Sequence, residues 1–91
     1  MRDERFAILT APVRQRVLLT LLRCRPSELP LSVPDDLDGD GVDVDFHTRL
    51  YHVHLPKLTS AGYVTWDIVA STVTRGPRFG EIEPVLDALG T

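Results

Sequence analysis

Apolar residues recur at helical spacing over most of this chain, and the longest amphipathic run is Asp45 to Trp66, DFHTRLYHVHLPKLTSAGYVTW. On a wheel of about 100° per residue, Phe46, Leu50, Tyr51, Val53, Leu55, Leu58 and Ala61 fall in one broad arc. Thr48, Arg49, His52, Pro56, Thr59 and Ser60 share the other arc, so one face is core and the other is wet. Asp45 is suited to cap the start, and Gly62 stands where a left-handed residue closes a helix. The pattern predicts a helix over about 45–61. Pro56 cannot donate to the His52 carbonyl, which predicts a bend on the wet face.

The remaining elements are shorter. A helical turn is expected from about Arg2 to Leu9, with Phe6 and Leu9 on one side. Thr10 can cap a second helix with Pro12 in its first turn, and Val13, Val17, Leu18, Leu21 and Leu22 give its apolar stripe. Arg14, Arg16, Arg23 and Arg25 lie away from much of that stripe and read as solvating charges, with phosphate contact from Arg14 or Arg16 as the functional alternative. Pro26 to Pro34 is a proline-punctuated connection, followed by a short acidic helix from Ser32 or Pro34 to Leu37 or Asp38.

After Gly62 the period changes to that of a strand. Tyr63 to Asp67 and about Thr72 to Arg75 form a hairpin, with Val64 and Trp66 on one face. Its connection, Ile68 to Ser71, holds no Gly or Asn and makes the tip apolar, a composition that meets protein more often than phosphate. From Phe79 to Leu89, Ile82, Val85, Leu86 and Leu89 follow helical spacing and Glu81, Glu83 and Asp87 face out. That stripe either pairs two subunits or packs on its own domain. The fold class is α+β and mostly α, within one domain over 1–91.

Ninety-one residues suffice for one modest core. No apolar run reaches the roughly 18 residues of a membrane span, and no basic start precedes an apolar stretch, so a cytoplasmic chain without a signal peptide is expected. Net charge is −3, from 10 basic and 13 acidic residues. That balance argues against tight non-specific nucleic-acid binding in ordinary buffer, though not against a local basic patch. At molar salt, where the Debye length is about 3 Å, distant acids are hardly felt.

Three features raise a chemical question. Asp36, Asp38, Asp40 and Gly41 match positions 1, 3, 5 and 6 of an EF-hand-like loop, but position 8 is Asp43 and position 12, which needs a carboxylate, is His47. An acidic turn is the simpler reading. His47 and His54 share a helix side without a third ligand nearby, and His54 falls in the apolar arc as a core histidine bonded to backbone. The lone Cys24 reads as a small hydrophobe at a helix end. With no Gly-rich phosphate loop and no nucleophile beside a general base, neither an enzyme, a cofactor nor a metal site is expected.

The stretch LYHVHLPKLTSAGYVTWD resembles the recognition helix of ArsR-like winged helix-turn-helix regulators, through His54, Leu55, Leu58, Ala61, Gly62 and Val64. Its HxHLPKL wording is similar to a family of short winged-helix domains from halophilic archaea. The resemblance runs from about Arg5 to Leu89 and is densest from Leu50 to Asp67. It implies three to five helices with a two-stranded hairpin wing, and a DNA-binding transcription regulator working as a homodimer. On that reading Thr48, Arg49 and His52 read bases, and Lys57, Arg75 and Arg78 hold phosphates. Ile82, Val85, Leu86 and Leu89 form the dimer interface. The competing expectation is a winged helix that binds protein, not DNA, through the apolar wing tip or the last helix.

Overall fold

The apolar stripes assemble around one core in the computed structural model, which describes residues 4–33 and 48–90. Helix α1 spans Glu4–Ile8 and α2 spans Pro12–Arg23. A 3-10 turn at Pro26–Glu28 leads into strand β1, Leu31–Ser32. Helix α3 covers 48–60, with a π-helical stretch Leu50–His54 followed by an α-helical stretch Leu55–Ser60. Strands β2, Val64–Asp67, and β3, Thr72–Arg75, precede helix α4, Phe79–Gly90. Among the described residues the class is α+β and mostly helical. The acidic helix from Pro34 on, the Asp45 cap, Phe46, His47 and the EF-hand-like loop lie outside them, while Ser32, the other expected start of that helix, stands in β1.

Helix α3 departs from the expected regular wheel, and Pro56 is the reason. Lacking an N–H, proline cannot bond the carbonyl of His52. The backbone widens one turn earlier, and the N–H of Leu55 reaches back five residues to the carbonyl of Leu50. The extra residue shifts the phase of the stripe. Leu50, Leu55 and Leu58 are all fully buried, whereas Val53, expected in the core, is 42% exposed. The helix closes as its glycine implied: Gly62 has φ +85°, its N–H bonds the Thr59 carbonyl, and the Tyr63 N–H bonds that of Leu58.

The sheet has one strand more than the hairpin expected from the sequence. Its order is β1-β3-β2, all antiparallel, with Leu31 opposite Val73 and Trp66 opposite Val73 on the other side. The short β1 comes from the segment read as a bare connection, and it ties the hairpin to the body. The tip is closed without Gly or Asn because the Asp67 carboxylate accepts the Ala70 N–H at 3.0 Å and Ser71 takes a positive φ of 55°.

The core gathers Val17, Leu18 and Leu21 of α2 with Leu50, Leu55 and Leu58 of α3, Val64 and Val73 of the sheet, and Ile82 and Leu86 of α4. Phe6, expected inward on α1, is 63% exposed, while Ile8 and Leu9 turn in. Cys24 is half-buried against the core and free, at the carboxyl end of α2. None of the described helices is long and apolar enough to cross a membrane.

Candidate nucleic-acid interface

Burying Leu50, Leu55 and Leu58 turns the opposite side of α3 to solvent. Thr48, Arg49, His52, Pro56, Lys57, Thr59 and Ser60 are all exposed there, together with Val53. This surface carries Arg49, Lys57 and His52 and no acidic residue, although acids outnumber bases in the whole chain. The helix is held at both ends of its long axis. Tyr51 stacks on Trp66 of β2 with ring centroids 5.7 Å apart, and its hydroxyl donates to the Val33 carbonyl at 3.0 Å. The Gly62 turn then fixes where the hairpin leaves the helix. The three expected base readers, Thr48, Arg49 and His52, therefore share one exposed end of an anchored helix.

Behind this face lies a contact that the sequence reading did not supply. Arg14 of α2 is buried, donating through Nε to the Ile8 carbonyl at 2.6 Å and through Nη2 to the Ala7 carbonyl at 3.3 Å. Its Nη1 stands 3.4 Å from Nδ1 of His54. An arginine only donates, so Nδ1 accepts and the ring proton sits on Nε2. His54 is buried as expected, but its partner is this side chain rather than backbone. Burial, followed by the nearby charges of Arg14, Lys57 and Arg49, lowers its pKa from the ordinary 6.5 and keeps the ring neutral. Arg14 is thus not a solvating charge, and at 6% exposure it offers no open face to a DNA backbone phosphate. The signal was available, because Arg14 stands at helical spacing with Val17, Leu18 and Leu21.

The two arginines at the base of the hairpin are occupied. Arg75 donates from Nε and Nη2 to the Leu21 carbonyl at 3.0 and 2.8 Å, and from Nη2 to those of Leu22 and Cys24. It caps the end of α2 and lies over the Phe79 ring. A phosphate at Arg75 would have to displace those carbonyls. Arg78 forms a two-pronged ion pair with Glu81 at 3.0 and 2.9 Å and packs against Tyr63. Its charge is already matched. Lys57 is exposed, and it is the freest of the three phosphate candidates.

The expected dimer stripe also divides. Ile82 and Leu86 are fully buried in the chain's own core, so they are unavailable to a second copy. Val85 is half-buried and Leu89 is 51% exposed. At the other end of the molecule, Ile68 and Val69 stand out from the hairpin tip, Val69 almost wholly in solvent. Among the described residues no group of three or more metal-binding side chains comes together. No protein-family model matches the chain, and no curated protein or solved structure matches it either.

Proposed function

We propose that this chain is a winged helix-turn-helix domain of the ArsR-like kind that binds duplex DNA and regulates transcription. The observation that carries the reading is the exposed face of α3, which presents Arg49, His52 and Lys57 without a single carboxylate on an otherwise acidic chain. A helix of this kind enters the major groove with the residues of its first turns against base edges. Arg49 is the principal base reader, since a guanidinium pairs with both acceptors of guanine. Thr48 and His52 are secondary readers, and Lys57 holds phosphate. The glycine exit into a hairpin braced by β1 supports the winged-helix assignment.

Specific affinity calls for two copies, because one α3 offers few base contacts. With Ile82 and Leu86 committed to the core, pairing falls to Leu89, Val85 and the exposed Phe6. The deciding experiment is recovery of DNA by the tagged chain at the salt of its native cytoplasm. Enrichment of a common duplex sequence supports the reading, and recovery indistinguishable from an untagged control rejects it. The second reading, a protein-binding winged helix, is favoured by the exposure of Ile68 and Val69 at the tip, and it predicts that Val69→Ser abolishes partner capture while DNA recovery stays at background.

A further inference from the structure

Arg14 carries a buried charge whose partners are all neutral. The residue is 6% exposed, and its three contacts are the carbonyls of Ile8 and Ala7 and the ring of His54. A guanidinium has five N–H groups, so these contacts leave two without an acceptor among the described residues. Beside it, between the α1–α2 corner and the last turns of α3, runs a cleft of about 290 Å³ lined by Ala7, Ile8, Arg14, Lys57, Ser60 and Ala61. The wall on the α1–α2 side bears one cation, and the α3 wall bears a second cation and a hydroxyl. Among the described residues no carboxylate lines it.

We propose that this cleft binds a small phosphomonoester, its phosphate held by Arg14, Lys57 and the Ser60 hydroxyl and its organic part lying against Ala7, Ile8 and Ala61. Two full positive charges on facing walls call for a dianion, and a phosphomonoester carries close to two negative charges at neutral pH. The volume sits at the small end of ligand sites, which suits a phosphate with a body of about one ring. Beside the cleft, burial first and then the charges of Arg14 and Lys57 lower the His54 pKa. A ligand there bridges α2 and α3 and stabilises the docked position of α3. The assignment shares Lys57 with the proposed DNA contact and is otherwise separate from it.

The test uses the full chain with phenyl phosphate and inorganic phosphate as probes, at constant ionic strength with chloride as the balancing anion. Amide NMR shifts and the melting temperature are followed together. Saturable shifts centred on Ile8, Lys57, Ser60 and Ala61 are expected, with tighter binding of phenyl phosphate than of inorganic phosphate. Lys57 is exposed, so Lys57→Gln folds, and it is expected to weaken binding at least tenfold. Arg23→Gln, which removes an exposed cation elsewhere on α2, is expected to leave binding unchanged. Shifts that do not saturate, that survive Lys57→Gln, or that Arg23→Gln weakens equally overturn the assignment. Shifts at Ile8 and Ala61 that phenyl phosphate produces and duplex DNA alone does not support a free ligand, whereas the same shifts with duplex DNA alone assign the cleft to the DNA backbone and overturn it.

Discussion

Arg14 and His54 meet 3.4 Å apart, 40 residues distant in sequence, and their contact joins the α1–α2 corner to the middle of α3. One is permanently charged and the other is kept neutral by its surroundings. The pair therefore responds to acid in a definite direction.

In the folded chain the His54 pKa lies below 6.5, the value it regains on unfolding, so below pH 6.5 the unfolded chain binds more protons than the folded one. Stability is complete above that pH and is lost as pH falls through it toward the folded pKa. Melting curves from pH 7.5 down to 5 are expected to show this loss, and His54→Gln, already neutral, is expected to flatten it. The exposed Glu81 acts only at lower pH, because its pKa is lowered from 4.5 by its hydrogen bond to Arg78.

Arg75→Ala removes the cap on the carbonyls of Leu21, Leu22 and Cys24. Charged hydrogen bonds of this kind contribute about 1.5–3 kcal/mol, and half-burial places the expected loss at about 2 kcal/mol in urea unfolding. Arg75→Lys is expected to recover only part, since an ammonium cannot reproduce the fork. DNA affinity measured well below the melting temperature is expected to be unchanged.

Two glycines give opposite outcomes with the same substitution. A Cβ on Gly76 would lie 2.5 Å from the Gly62 carbonyl oxygen and 2.6 Å from the Val64 nitrogen, both backbone atoms that cannot step aside. Gly76→Ala is expected to destabilise by about 1–3 kcal/mol, the usual range for overpacking. Gly80 in α4 has open space, and Gly80→Ala is expected to stabilise by about 0.5–1 kcal/mol.

Leu86→Glu puts a carboxylate at a position with no exposure, and is expected to cost roughly 4 kcal/mol or more, comparable to the whole stability of a small domain. It unfolds the chain and does not release a folded monomer. Leu89→Glu, at a half-exposed site, is expected to stay folded. Circular dichroism and sedimentation of the pair separate a core position from a surface one.

Most of the framework was legible because each signal was local. Gly62, the hairpin spacing and the stripes of α2 and α4 follow from period and turn chemistry alone. Val53 and β1 were missed for non-local reasons. A proline-driven π turn rephases α3, and two residues become a strand only because Val73 is there to pair with Leu31. The arginines mark the same divide. Composition shows that Arg75, Arg78 and Arg14 are basic, but only the fold shows that carbonyls, Glu81 and a buried corner already occupy them. Arg49 and Lys57 differ in lying on an exposed face, which leaves them open to the roles proposed for them.

The central claim is that α3 reads duplex DNA through Arg49. Its most direct test is titration of wild type and Arg49→Ala against the duplex enriched at native salt, and against the same duplex changed one base pair at a time. The account predicts that Arg49→Ala, with an unchanged melting temperature, loses about 1–3 kcal/mol of binding and its preference at one base pair. Equal affinity and equal base preference in the two proteins would contradict it.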